Sequence, residues 1–434
     1  MNGRRYMSDK SKQISAQQNM LNFNGSVPIA VFLMLSPVRK SDLARYGISE
    51  FAGKGFEICI FDLGTVFFNR KIEIQADQLD HSFRTYFFSS ISEAITQLRY
   101  FKQPICIVSY TPDSKRVRPL YLEISKLDIP YICPHIGVLP CYSHIGNLIS
   151  LRQSYAEIAS ELSNKIRLRL NRFVKDYRDL MLIKLLGYRP PSIFFLASED
   201  ETFPHTLKPF GAKRVYSHFI DLDFLENAKD ACSLGISGDY IVFLDQYLPY
   251  HSDLKQAGCE IDADRYSTDM KRFFDRIEDH FGCEIVIAAH PKSIYEDKAG
   301  FLGDRKIIRD KMQSLVKGSK LVITHYSTGV GLGIYLRKPI MLLTSNQLDS
   351  AKIGRVTVGL WARRIASWLQ KKALNINYAN ESDFESQSHI NEYAYRRYVD
   401  LYLKHPMSVN TGGSYQPLAI AAMEHLKTRS EAGF

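Results

Sequence analysis

A histidine, a proline and a lysine follow directly on an apolar run in the second half of the chain. The run covers residues 284–289 and reads Glu-Ile-Val-Ile-Ala-Ala, and His290-Pro291-Lys292 come next. Runs of this kind are typical of strands that are buried in a parallel sheet. The proline stops the strand and fixes the local backbone, so the imidazole and the ammonium lie at the carboxyl end of that strand. Such a pair of groups suits an anionic ligand.

A second polar segment, Ser327-Thr328-Gly329, stands between the apolar runs 321–323 and 340–343. The pattern predicts a buried strand, a short turn with two hydroxyls, a helix and a second buried strand. A helix start presents unpaired N–H groups and a partial positive charge, which suit a phosphate. Hydroxyl residues at such a position more often act only as helix caps, and this alternative stays open. Because the carboxyl ends of parallel strands form the ligand edge of an open sheet, we expect both segments at one edge.

The His-Pro pair at 290–291 and the segment 315–328 together resemble the C-terminal half of bacterial GT-B glycosyltransferases that build surface polysaccharides. One similar branch is the sialyltransferase-like and Kdo-transferase-like group, which uses CMP-activated sugars and carries an HP motif and a paired Ser/Thr motif. The other branch contains the glycerophosphate and polyol-phosphate transferases of teichoic-acid synthesis, which carry an aspartate where this chain has His325. The resemblance is good over residues 239–344 and extends to the N-terminal half only in outline.

The resemblance implies roles for individual residues. In the CMP-sugar group the HP histidine contacts or protonates the donor phosphate, and the second hydroxyl of the pair binds that phosphate. Carried over, these roles fall on His290 and Thr328. The resemblance implies neither a metal nor a bound cofactor. The residues expected to contact the nucleotide or its phosphate are Gln246, Pro291, Lys292, His325, Ser327, Thr328 and Gly329.

A carboxylate, Asp245, ends another apolar run, 240–244, and is expected at the same edge of the sheet. There it can act as a base on an acceptor hydroxyl or as a nucleophile toward an anomeric carbon. An equally favoured alternative is that Asp245 only caps the following turn. Two carboxylates of the first half, Asp62 and Asp113, also follow predicted strands and compete for the role of base. We expect Asp245 and His290 to be the catalytic residues.

Composition and charge fit a globular protein with anionic ligands. The chain has 434 residues, of which 45% are hydrophobic and 24% charged, and its formal net charge is +10. This length suggests two domains, each large enough to bury a core. The positive charge favours a nucleotide sugar, a glycan or lipid-linked glycan acceptor, and peripheral contact with an anionic membrane. No nucleic-acid-binding motif is recognisable, so we expect no nucleic-acid partner.

The alternation of apolar runs and helical patterns predicts an α/β fold with two Rossmann-like, doubly wound domains that face a cleft, as in GT-B proteins. We expect no segment that spans a bilayer, because no apolar run is long enough. Seven scattered cysteines favour the reducing cytoplasm. The positive charge adds the expectation of a location at the inner face of the cytoplasmic membrane. The expected divisions are a loose segment (1–26), an acceptor domain (27–237), a nucleotide-sugar-binding domain (238–375) and C-terminal helices that pack back on the first domain (376–434).

The sequence therefore predicts a GT-B-type glycosyltransferase that moves a sugar from a CMP-activated donor to a bacterial surface glycan. Kdo or a sialic-acid-like nonulosonate is the expected sugar. One alternative is a polyol-phosphate transferase that depends on a CDP-alcohol. The other is a glycan-binding or scaffold protein that has the same fold and no catalytic activity.

Overall fold

The computed structural model describes residues 23, 26–40, 42–68, 80–111, 116–135, 181, 185, 187–197, 212–225, 228, 231–251, 254–255, 257–291, 293–295, 300–353, 356–408 and 412–432. Lys292 and Asp113 lie outside the described residues, as does most of the segment 1–26.

The first domain is built on a seven-stranded parallel sheet with the strand order β3-β2-β1-β4-β5-β6-β7. Its strands are β1 (Ile29–Met34), β2 (Glu57–Asp62), β3 (Arg84–Phe87), β4 (Ile105–Ser109), β5 (Tyr131–His135), β6 (Ile193–Leu196) and β7 (Lys213–Tyr216). Every residue of β1 is buried, which explains its uninterrupted apolar sequence. The order is that of a Rossmann fold, in which the direction of winding reverses between β1 and β4.

The helices of the first domain that the structure describes from end to end are short. They are α1 (Asp42–Arg45), α2 (Ile48–Gly53), α3 (Gly64–Phe68), α4 (Ile91–Tyr100) and α5 (Arg118–Lys126). The apolar pattern predicts a single helix over 41–51, but the structure has two. Gly47 separates them with a φ of 71°, a left-handed conformation that glycine adopts without steric cost.

The second domain repeats the same topology with six parallel strands in the order β10-β9-β8-β11-β12-β15. They are β8 (Tyr240–Leu244), β9 (Glu284–Ala288), β10 (Ile307–Ile308), β11 (Leu321–Thr324), β12 (Ile340–Thr344) and β15 (Leu374–Asn375), and a separate antiparallel pair is formed by β13 (Lys352–Ile353) and β14 (Val356–Thr357). Winding reverses between β8 and β11. The prediction of two doubly wound α/β domains is therefore confirmed.

The helices of the second half surround this sheet and extend to the C-terminus. They are α6 (Ala263–Phe281), α7 (Met312–Gly318), α8 (Val330–Tyr335), α9 (Asn346–Ser350), α10 (Gly359–Trp368), α11 (Glu381–Ser388), α12 (Glu392–Tyr398), a π-helical turn (Val399–Leu403) and α13 (Gln416–Glu431). Short 3₁₀ helices cover Ile220–Leu222, Ala231–Leu234 and Leu248–Tyr250. No described helix combines the length and the apolar character that a membrane crossing requires.

The chain returns to the first domain after α12. The backbone N–H of Phe219, between the domains, donates to the carbonyl of Leu403 at 2.6 Å. The Tyr415 hydroxyl then donates to the carbonyl of Arg45 in the first domain at 2.9 Å. Helix α13 contacts α2, β4, β6 and β7. The last helix of the chain therefore completes the first domain and not the second.

Candidate functional site

Three loops leave the second sheet side by side at its carboxyl edge. Strand β8 lies between β9 and β11, and its last residue, Leu244, is in register with Ala288 on one side and Thr324 on the other. The loops that follow these strands carry Asp245, His290 and the segment 325–329. The position between β8 and β11 is the topological switch point of the domain, where open α/β sheets bind their ligands.

Asp245 ties the loop after β8 to the loop after β9. One carboxylate oxygen, Oδ1, accepts the backbone N–H of Tyr247 at 2.8 Å. The other, Oδ2, accepts the Tyr295 hydroxyl at 2.7 Å and the backbone N–H of His290 at 3.4 Å. The aspartate thus holds the backbone from which the His290 imidazole projects.

This environment favours the alternative in which Asp245 caps the turn over a role as base or nucleophile. The residue is only 5% exposed, and both of its oxygens already accept hydrogen bonds. Burial raises the pKa of the carboxyl, while the hydrogen bonds from Tyr247 and Tyr295 act in the opposite direction. An acceptor hydroxyl has no free oxygen to approach, and the bond to Tyr247 is the turn cap that the alternative interpretation described. The contacts of Asp245 are those of a positioning residue.

Gln246 makes the corresponding connection on the other side. Its Oε1 accepts the backbone N–H of Tyr326 at 2.7 Å, and the side chain is 8% exposed. In addition, the Thr324 hydroxyl donates to the carbonyl of Leu244 at 3.2 Å. The central dipeptide, Asp245-Gln246, thus fixes both neighbouring loops at once.

The residue after the central dipeptide has a strained backbone. Tyr247 has a φ of 53°, in the left-handed region that bulky side chains rarely adopt and that costs about 1 kcal/mol or more. The Tyr247 hydroxyl donates to the carbonyl of Ile294 at 2.9 Å, beyond the His-Pro pair. This bond and the one to Asp245 compensate for the strain. Such strained residues concentrate at functional sites.

Imidazoles and a guanidinium lie on the β9 side. The ring centroids of His290 and His251 are 5.1 Å apart, and His290 is half-buried. The carbonyl of His290 accepts the Ser293 backbone N–H and hydroxyl, and Arg309 donates to the carbonyl of Ser293 at 2.5 Å. The sequence interpretation did not select His251 or Arg309. A usable signal existed, because His251 lies in the loop after Asp245 and Arg309 follows β10.

Two hydroxyl residues, Ser327 and Thr328, lie on the β11 side and are both half-buried. Three backbone N–H groups of the turn are already used. Gly329 N–H donates to Ser327 Oγ at 3.2 Å, Val330 N–H to the carbonyl of Ser327 at 3.1 Å, and Gly331 N–H to that of Thr328 at 3.1 Å. The expectation of a helix start with unpaired N–H groups is therefore wrong for these three. The turn offers an anion its side-chain hydroxyls.

His325 does not reach this surface. Its ring is fully buried, with Nε2 at 2.9 Å from the Tyr266 hydroxyl and Nδ1 at 3.0 Å from the carbonyl of Leu343. Burial lowers the pKa of the imidazole to about 4, so the ring is neutral near neutral pH. The expectation that His325 contacts the nucleotide does not fit this burial, and we assign the residue to the core.

The remaining predicted residues have different surroundings. Gly329 is buried, and a Cβ atom there would come within 2.5 Å of Met312 Sδ, so a larger residue would displace the Met312 side chain of α7. Pro291 is exposed beside His290, and Lys292 lies outside the described residues. Among the residues that the structure describes, no three His, Cys, Asp or Glu side chains are grouped to hold a metal ion. The site therefore combines imidazoles on one side of Gln246 with hydroxyls on the other, a set of groups that suits an anion.

Comparisons with known proteins give similarities of fold. No protein-family model and no curated protein matches the sequence. Among solved structures, the chain is similar to the UDP-GlcNAc 2-epimerase from Methanocaldococcus jannaschii at 13% identity and a TM-score of 0.44, over 92% of this chain and 99% of that one. It is similar to the wall teichoic acid polymerase TagF at 10% identity and a TM-score of 0.45, over 97% of this chain and 94% of that one. An S. aureus MnaA–UDP co-structure matches at 12% identity and a TM-score of 0.46, over 94% of this chain and 97% of that one.

Proposed function

We propose that this protein is a glycosyltransferase that binds the phosphate of a nucleotide sugar over the central dipeptide. The observation that carries the proposal is the pair of bonds by which Asp245 holds the His290 loop and Gln246 holds the Tyr326 loop. These bonds fix an imidazole and two hydroxyls around the switch point of the second sheet. Buried groups that fix half-buried polar ones are what a preorganised ligand site requires.

The chemistry of the step follows from these groups. The bond between the sugar and the phosphate breaks, a bond from the acceptor oxygen to the sugar forms, and the acceptor proton passes to a base. The departing phosphate gains negative charge, which the hydroxyls of Ser327 and Thr328 and the imidazole of His290 stabilise by donating hydrogen bonds. Arg309 adds positive charge from the β9 side, and Lys292, which follows Pro291 in the sequence, carries a further positive charge. His290 also supplies a proton if the leaving group needs one.

A CMP-activated sugar is the donor that we propose, with Kdo or a sialic-acid-like nonulosonate as the transferred group. A CMP-sugar leaves with a single phosphate, so a few donor groups suffice and no metal is needed. The His-Pro pair and the Ser-Thr pair support this choice. The two other outcomes of the test below are a CDP-alcohol donor and a protein that binds glycans without catalysis.

The acceptor that we propose is a growing bacterial surface glycan, bound by the first domain across a cleft from the donor. Domain closure would then exclude water and limit hydrolysis of the donor. The formal net charge of +10 supports work on anionic or lipid-linked acceptors at the inner face of the cytoplasmic membrane.

A thermal-shift screen with CMP, CDP, UDP and GDP tests the proposal. A ligand at a hundred times its Kd stabilises the folded state by roughly 2.7 kcal/mol, which raises the unfolding temperature measurably. We expect CMP to give the largest shift, and CMP release from a CMP-sugar in the presence of acceptor to follow. A larger shift with CDP, and release from a CDP-alcohol, would assign the polyol-phosphate activity instead. No shift with any nucleotide would overturn the enzyme assignment.

A further inference from the structure

An exposed aromatic ring lies at the same edge of the second sheet as the central dipeptide. Tyr378 is 73% exposed and comes just after β15. Strand β15 is parallel to β12, with Asn375 in register with Thr344, so Tyr378 follows the carboxyl end of its strand. Within the described part of the chain no other aromatic ring packs against Tyr378.

Three asparagines hold this ring in place. The side-chain amide of Asn346 donates to the Tyr378 hydroxyl at 2.9 Å. Asn346 is itself fixed, because its Oδ1 accepts the amide of Asn375 at 2.9 Å and its backbone N–H donates to Asn377 Oδ1 at 2.9 Å. An exposed side chain normally keeps its rotamer freedom. A tethered and exposed ring has already lost part of that freedom and offers a prepared surface for stacking.

The side chains that hold Tyr378 are neutral amides. The nearby carboxylate of Asp349 accepts the Thr344 hydroxyl at 2.6 Å and pairs with Arg363 at 2.5 Å. An aromatic face beside neutral amides suits the C–H groups and hydroxyls of a sugar ring better than it suits a phosphate. The imidazoles and Arg309 lie toward the other end of the strand order, where β9 and β10 follow β8.

The spacing of the strands relates Tyr378 to the phosphate site. β15 lies two strands away from β11, and strands are about 4.8 Å apart, so the two strand ends are roughly 10 Å apart. A donor whose phosphate lies at Thr328 extends from there in two directions, toward the nucleoside and toward the sugar. The asparagine amides and the Tyr378 ring lie in one of these directions, across β12 toward β15.

We propose that Tyr378 is a specificity-determining residue that stacks against the sugar of the donor. The inference rests on the proposed function, because it takes the donor phosphate to lie at the Thr328 turn. The C–H face of the sugar ring packs on the tyrosine ring, which buries apolar surface of both. The Asn346 amide fixes the angle of the ring.

Calorimetric titration with matched pairs of ligands tests this assignment. The pairs are CMP with CMP-N-acetylneuraminate, CDP with CDP-glycerol, UDP with UDP-N-acetylglucosamine, and GDP with GDP-mannose. Wild type is compared with Tyr378→Ala, with Tyr378→Phe and with the control Tyr393→Ala, which removes a tyrosine of similar exposure (67%) on α12. For the pair that the wild type binds, we expect Tyr378→Ala to weaken the sugar nucleotide roughly tenfold and to leave the free nucleotide unchanged.

The variants separate the possible results. Tyr378→Phe keeps the ring and should retain most of the affinity, and Tyr393→Ala should match the wild type. Equal weakening of nucleotide and sugar nucleotide by Tyr378→Ala would place the nucleobase on the ring and overturn the inference. Unchanged binding of both would overturn it as well. A wild type that binds no member of any pair would instead overturn the proposed function, and the inference with it.

Discussion

The two domains have the same strand order around the switch point, but the polar side chains at the two switch points differ. In the first domain the hydroxyls of Ser109, Thr111 and Tyr121 are buried at the end of β4, and each lies within 2.9 Å of the other two. In the second domain the buried groups at this position, Asp245 and Gln246, bond to the backbone of the neighbouring loops. In the first domain the three hydroxyls bond to one another. In the second domain the buried groups hold loops whose own hydroxyls and imidazole are half-buried.

This difference shows what topology supplies and what the residues add. A doubly wound sheet provides a crevice wherever its winding reverses, and this chain has two such sheets. Whether the crevice holds a ligand depends on the polar groups that remain available there. We assign the ligand to the second domain because Ser327, Thr328 and His290 are half-buried rather than enclosed.

Removal of the imidazole should have the largest effect. His290→Ala should lower sugar transfer roughly 10²- to 10⁴-fold, because the leaving phosphate loses a hydrogen-bond donor or acid. The thermal unfolding midpoint should stay near that of the wild type. The control is His81→Ala, which removes an exposed imidazole of the first domain. Near-wild-type turnover of His290→Ala would exclude this residue from the mechanism.

The buried imidazole of the second domain should make stability depend on pH. The pKa of His325 is lowered to about 4 in the folded protein, against 6.5 when it is exposed. As pH falls below 6.5 the unfolded chain binds a proton that the folded chain excludes, so stability present above pH 6.5 is lost toward pH 4, by about 3 kcal/mol. Urea unfolding of the wild type and His325→Gln over this interval checks the prediction. Parallel pH profiles for the two proteins would contradict it.

The strand-end aspartates of the two domains provide a matched pair. Asp245→Asn should destabilise the protein by about 1–3 kcal/mol, because an amide whose oxygen keeps the Tyr247 N–H turns its NH₂ group toward the backbone N–H of His290, which then loses its acceptor. Asp62 also caps a turn, and its Oδ1 accepts the N–H of Gly64 at 2.7 Å. An asparagine at position 62 can keep that bond, so Asp62→Asn should cost less. If chemical denaturation gave the two variants equal losses of unfolding free energy, the distinction between the carboxyl edges of the two sheets would be wrong.

The sequence predicted the strands well because most of them are continuous apolar runs. The run 240–244 is the strand Tyr240–Leu244, and its neighbours differ by a residue or two at their ends. The sequence interpretation missed β3, an edge strand whose residues are partly or fully exposed, and β5, which contains a proline. It also missed β10, β13, β14 and β15, which have only two residues each. Strands of this kind depend on pairing partners that a local pattern does not contain.

The site was predictable only in part. The strand ends correctly indicated which residues reach the carboxyl edge. The polar character of His325 and Asp245 suggested that their side chains are accessible, but both are buried. Their burial depends on partners far away in the sequence, because Tyr266 lies 59 residues from His325 and Tyr295 lies 50 residues from Asp245. A local pattern contains neither partner.

The hydroxyls of the two switch points should differ in their effect on ligands. Thr328→Val should weaken nucleotide binding roughly tenfold, since it removes one hydrogen-bond donor to a charged group, and Thr328→Ser should restore it. Thr111→Val, at the first switch point, should leave the affinity unchanged. Calorimetric titration with the nucleotide that stabilises the wild type most gives both values. A loss of affinity in Thr111→Val alone would transfer the ligand site to the first domain.

The smallest effect is expected from the buried hydroxyl cluster of the first domain. Ser109→Ala leaves Thr111 and Tyr121 with each other as partners, so it should cost about 1 kcal/mol of unfolding free energy. Nucleotide affinity should not change. Chemical denaturation and titration of the same variant measure both quantities, and a change in affinity would show that the first edge also serves the ligand.

A crystal structure with the tightest-binding nucleotide of the screen tests the central claim most directly. We predict a phosphate between His290 and Thr328, above Gln246, within hydrogen-bond distance of the Thr328 hydroxyl. A phosphate bound at the Ser109 end of the first sheet, or away from both switch points, would contradict it.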